Sequence, residues 1–251
     1  MICFAGFGHS HIVALAQGCY ALTQRGERFQ DQILEGRFHY LYGEELTPAV
    51  SADGLNPKIL EKIAEAKAQF VLLSLGGNEH SALSIVQRRE RFDFILGAAP
   101  DLPLEPGATI LPEAVIRETL REAMEEIFAT LRAFRDVVPL PLIQIEPPPP
   151  LPGEKVLSDP VEFFHTLVDA NRLSTDCLRY KMWRVQVSLY REFCERLNVG
   201  YAPIPADFFT EDGMLAPFAW SKDATHANVH FGERMILEAL SLLATRLQPS
   251  G

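Results

Sequence analysis

Residues 2–6 are an unbroken apolar run, the pattern of a strand buried on both faces. From residue 12 to 25 the apolar positions change to a helical spacing, and Gly26 supplies a stop. Ser10 therefore stands at a strand-to-helix turn. Residues 38–42 form a second strand candidate, and Asn56-Pro57 is a good N-cap and first-turn pair for a helix reaching about residue 68. Residues 70–75 predict a third strand, closed by Gly76-Gly77-Asn78. Pro112 opens an amphipathic helix in which Ile116, Leu120, Met124, Ile127, Leu131 and Phe134 recur at spacings of four and three. It leads into a strand at 140–145. The four prolines at 147–150 cannot continue a central strand and must carry the chain out in an extended form. A helix over 173–197 buries Leu178, Met182, Val185, Leu189 and Phe193, then Gly200, a short strand at 201–204 and a helix at 232–247 follow. Strands alternating with helices predict an α/β fold: a three-layer α/β/α sandwich on a parallel sheet, with functional loops at the carboxyl ends of the strands.

Composition narrows the picture. A chain of 251 residues with 47% hydrophobic content can bury one large core, so residues 1–251 are expected to form a single domain. With 33 acidic against 23 basic residues the net charge is −10 and no long basic run exists, which argues against nucleic acid as a partner. No apolar run is long enough for a membrane span, and no signal-peptide pattern precedes the first strand. Cys3, Cys19, Cys177 and Cys194 are widely spaced within apolar patterns and read as buried thiols. A cytoplasmic location is the expectation.

The candidate chemistry lies where the predicted strands end. A serine hydroxyl is a weak nucleophile until a base takes its proton, and the Asp223-x-x-His226 pair supplies a base with an orienting carboxylate. A tetrahedral intermediate also needs hydrogen-bond donors, here the Ser10 backbone amide and the Asn78 side chain. Gly6-Phe7-Gly8 also suggests a dinucleotide-binding turn, but position 11 is His where the third glycine is required. The nucleophile-elbow pattern GxSxG fails in the same way, since Ile12 holds its last position. His9, His11, His80, His226 and His230 cluster in or beside these blocks, yet no zinc-type spacing joins them, so neither metal nor cofactor is expected. His9, His11 and Trp220 are candidates for contacting substrate.

Gly8-His9-Ser10, Gly76-Gly77-Asn78-Glu79 and Asp223-Ala224-Thr225-His226 resemble, in order and in strand context, the blocks of the SGNH (GDSL-like) hydrolase family. The resemblance spans the chain and implies a flavodoxin-like three-layer fold. It also implies a catalytic triad of Ser10, Asp223 and His226 and an oxyanion hole of Ser10, Gly54 and Asn78, the family's second-block glycine being read as Gly54, just ahead of the helix opened by Asn56-Pro57, over Gly43. His9 and Glu79 depart from it, each standing where the family usually keeps Asp. The implied activity is hydrolysis of a small-molecule ester of a small acyl group, an acylated carbohydrate among the candidates, without cofactor. Sugar O-acyl transfer and a catalytically silent binding domain are the alternatives on the same fold.

Overall fold

In the computed structural model, which describes residues 1–86, 90–158 and 173–247, the apolar runs become neighbouring strands of one sheet. Strands β1 (Ile2–Gly8), β3 (Gln32–Tyr40), β6 (Phe70–Ser74), β9 (Leu142–Ile145) and β10 (Gly200–Ala202) are mutually parallel, and β2 (Arg28–Phe29) adds an antiparallel edge to β3. The order is β10-β9-β6-β1-β3-β2. Side chains alternate across the sheet, as the strand period requires. Phe4, Phe70 and Leu72 enter a core under α1 (Ile12–Gln24) and the last helix, Val229–Leu247. Ala5, Phe7, Val71 and Leu73 enter the other core, with α2 (Pro57–Glu65), α4 (Glu113–Ala123), α5 (Glu125–Val137) and most of the long helix Asp176–Arg196. This is the expected three-layer α/β/α sandwich.

The chain leaves β1 for β3 on one side and returns to β6 on the other. The crevice beyond the carboxyl ends of β1 and β6 is thus the topological switch point, where open α/β sheets hold their ligands. The two ends are pressed together: Gly8 pairs with Ser74, and a Cβ at Gly8 would lie 2.4 Å from the Ser74 carbonyl oxygen. A similar contact sets α1 against the last helix, where a Cβ on Gly232 would come 1.8 Å from the Ala14 oxygen. That contact fixes the segment just before the last helix over the start of α1.

Several boundaries differ from the expectation. The second parallel strand runs Gln32–Tyr40, earlier than 38–42, because its burial is broken by exposed polar positions and its pattern is that of a strand near an edge. The helix after Pro112 is two helices meeting at Met124, whose φ of −95° and ψ of 1° break the line while its side chain stays buried. Thr175 caps the long helix, its hydroxyl accepting from the Leu178 N–H, so that helix starts at Asp176. The irregular stretch 79–111 holds α3 (Glu79–Ser84) and a small parallel pair, β7 (Phe92–Asp93) with β8 (Thr109–Ile110). The buried Asp93–Lys181 ion pair pins it to the long helix. Arg88 and Arg89 of that stretch lie outside the described residues.

Candidate active site

Ser10 follows β1 in a tight turn, with the Ile12 N–H bonded to the His9 carbonyl at 3.0 Å. The turn places His11, not Ser10, at the start of α1, so the Ser10 side chain is not spent as a cap. Asp223 and His226 come from the turn before the last helix. Asp223 Oδ1 accepts from the Thr225 N–H at 2.9 Å and the His226 N–H at 2.8 Å, a local turn that folds the segment back on itself. The same oxygen lies 2.9 Å from His226 Nδ1. Asn228 then anchors the turn: its Oδ1 accepts from the His230 N–H, and its Nδ2 donates to the carbonyls of Phe218 and Trp220.

These halves meet in one cavity of about 260 Å³ lined by Ser10, His11, Val13, Gln17, Asp223 and His226, among others. His226 Nε2 is buried and has no hydrogen-bond partner. Asp223 is held well below the usual carboxylate range. Burial alone would raise it, but the hydrogen bonds from His226 and the Thr225 N–H outweigh that. A carboxylate therefore stays charged behind an imidazole whose other nitrogen is unengaged, in a cavity that Ser10 also lines.

The loop after β6 supplies Asn78. Gly76 and Gly77, with φ of 61° and 115°, take backbone conformations that favour glycine. Two of the loop's N–H groups are held by side chains. Gly76 donates to His9 Nδ1 at 2.8 Å, and Gly77 donates to Glu79 Oε2 at 2.9 Å. The two departures from the family pattern thus act as acceptors that fix this loop. His9 is also stacked on Tyr42, with ring centroids 4.5 Å apart. Gln186 and Tyr190, which sequence reasoning missed, brace the loop from the long helix: Gln186 donates to Glu79 at 3.0 Å and Tyr190 donates to the Leu75 carbonyl at 2.8 Å. Their only signal in the sequence is polar atoms on an otherwise apolar helix face.

Four expected residues are not among those lining the cavity: Asn78, which lines a small adjoining pocket with His11, and His9, Gly54 and Trp220. Gly54 sits in the hairpin β4 (Val50–Ser51) and β5 (Gly54–Leu55), which packs on α5 and does not line the cavity. The chain after β3 approaches the site at Tyr42 instead, while the Gly43 N–H is already bonded to the Tyr40 carbonyl. Trp220 spends its Nε1–H on the Leu215 carbonyl at 2.7 Å and pairs with Ala227, closing the turn that carries His226. It too is outside the cavity lining.

His9, His11 and His80 have pKa values lowered from 6.5 to about 4, about 3 and about 4, in each case chiefly by burial. The fold keeps these rings neutral, whereas the unfolded chain binds protons below about pH 6.5. Stability should therefore be fully present above that pH and fall as the solution is acidified. The expected loss is about 2 kcal/mol per ring near pH 5. Thermal melts between about pH 7.5 and 5 should show a steep drop in Tm, and a flat profile would contradict this protonation scheme.

No protein-family model and no curated protein matches the sequence. Comparison with solved structures shows a likeness of fold: the three-layer α/β/α plan recurs in hydrolases. Solved structures with the same plan cover nearly all of this chain. A Bacteroides fragilis protein described as an acylhydrolase has a TM-score of 0.50 at 9% identity over 96% of this chain and 86% of that one. A Desulfitobacterium hafniense protein described as lipolytic and of the G-D-S-L family has a TM-score of 0.47 at 9% identity, covering 95% and 98% of the two chains. An acetyl xylan esterase from Geobacillus stearothermophilus has a TM-score of 0.47 at 14% identity, covering 96% and 93%. The likeness is one of fold. Among the described residues, no helix is long and apolar enough to cross a membrane, and no group of three His, Cys, Asp or Glu side chains is placed to hold a metal ion.

Proposed function

We propose that the protein is a serine ester hydrolase that removes a small acyl group from a polar alcohol through an acyl-enzyme on Ser10. One observation carries the reading: the Asp223–His226 pair, with Nε2 buried and unpartnered, shares a cavity with Ser10 at the switch point of the sheet. Ser10 Oγ attacks the ester carbonyl while His226 Nε2 takes the hydroxyl proton. Asp223 holds Nδ1–H and stabilises the imidazolium that forms. The tetrahedral intermediate places its oxyanion before the Ser10 N–H and the Asn78 amide, and each such donor is worth about 3 kcal/mol in the transition state. His226 returns its proton to the leaving alcohol, then activates water to release the acid from Ser10. No cofactor takes part.

The size of the cavity supports a short acyl group, and Gln17 and Ser221 on its wall suit a polar alcohol such as a sugar hydroxyl. The test is a panel of aryl esters of increasing chain length together with acetylated sugars. Acetyl esters should be turned over fastest, with kcat/KM falling beyond butyryl. Faster hydrolysis of octanoyl than acetyl esters would overturn the small-acyl assignment.

A further inference from the structure

Asn78 faces a problem of orientation. Its side-chain amide carries a donor at one end and an acceptor at the other, and only the Nδ2 end can stabilise an oxyanion. Turned the wrong way, Oδ1 would set its lone pairs against the developing charge. Asn78 occupies the cap position of α3, yet its side chain makes no capping hydrogen bond. Its Oδ1 lies instead 3.2 Å from His11 Nε2.

The His11 ring has little freedom to do anything else. It is 6% exposed, and its Cδ2 fills the space left by Gly77, where a Cβ would come within 2.8 Å. Its other face tilts against the His226 ring, with centroids 4.9 Å apart. Gly77 is therefore required by its neighbour as well as by its own backbone, and the nucleophile's successor is packed against both the oxyanion loop and the base.

We propose that His11 is a positioning residue that donates its Nε2–H to Asn78 Oδ1 and so turns the Asn78 Nδ2 toward the oxyanion. The proposal rests on the reading of Asn78 as an oxyanion donor. The titratable groups around the ring are His226, His80 and Asp223. Burial holds the ring neutral at working pH. A neutral imidazole has one N–H, so its tautomer decides the outcome. With the proton on Nε2, Asn78 presents its donor end to the site. With the proton on Nδ1, Nε2 must accept from Asn78 Nδ2, and the carbonyl end is left facing the oxyanion.

Imidazole ¹⁵N chemical shifts of wild-type protein, read near pH 7 without any substrate, should show His11 neutral and protonated on Nε2. The Nδ1–H tautomer would overturn the proposal. In parallel, His11→Leu should lower kcat on an acetyl ester by about 10²-fold with little change in KM, the scale of one lost oxyanion donor. His11→Gln, which can still donate to Oδ1, should recover most of that loss. The double variant His11→Leu/Asn78→Ala should be no slower than Asn78→Ala alone, because His11 acts through Asn78. Independent, multiplying losses would overturn the proposal, as would an unchanged kcat in His11→Leu. If wild type turns over no ester at all, the hydrolase reading fails, and the tautomer still decides how His11 sets Asn78.

Discussion

Replacing Ser10 with Ala is expected to reduce ester turnover by about 10⁴-fold or more, the scale seen when a nucleophile is removed from a working triad. The melting temperature should stay within about a degree of wild type, since the change removes a single half-exposed oxygen. Ser10 does not cap α1, so deleting its hydroxyl costs the helix no end group. The residual rate should come from the Ser10 N–H and Asn78, which remain in place. Steady-state kinetics on an acetyl ester with parallel thermal melts checks both halves. Activity equal in the two proteins would mean that the hydrolysis belongs to another site or another protein.

Asp223→Asn carries the second largest expected effect, about 10⁴-fold in kcat with KM little changed. The amide keeps an oxygen to accept from the Thr225 and His226 N–H groups, so the turn should survive. It loses the negative charge that holds the His226 Nδ1–H and offsets the imidazolium. The carboxylate also contributes to stability. Its folded pKa lies below the unfolded value of about 3.8, so that contribution is present above this value and is lost as pH falls through the folded one. At neutral pH the variant should therefore be slightly less stable and far slower. Asp223→Ala would also lose the turn, and it should be worse in both respects.

How much of this was legible in the sequence depends on how local the cause was. β1 and β6 could be read because strands buried on both faces are continuous apolar runs, and Asn56 was readable because a cap acts within its own turn, accepting from the Lys58 N–H. β3 was misplaced because its outward positions, among them Gln32 and Glu35, are exposed, and the pattern resembled a loop. The break at Met124 left no mark because the buried stripe passes through it unchanged. At the site, the order of Ser10, Asn78, Asp223 and His226 at strand ends predicts proximity, and the fold brings Ser10, Asp223 and His226 to one cavity. Gly54 was chosen by its place before α2, whereas the path of the chain after β3 brings Tyr42 to His9. Gln186 and Tyr190 act on a loop more than a hundred residues away in sequence, and no local pattern announces such a partnership.

The departures at positions 9 and 79 take on a definite meaning. A loop with two N–H groups to satisfy needs two acceptors, and a neutral His9 ring and the Glu79 carboxylate supply them. His9 can accept only while unprotonated, so its lowered pKa and its role in the loop are two views of one requirement. The same histidine ties the loop at 76–78 to the chain one residue before Ser10.

The most direct test of a triad at Ser10 is covalent labelling with a fluorophosphonate, followed by intact mass and peptide mapping. Folded wild-type protein should gain one phosphonyl group, mapped to the peptide containing Ser10, and His226→Ala should label far more slowly. A folded wild type that gains no mass, or that labels elsewhere, would contradict the account.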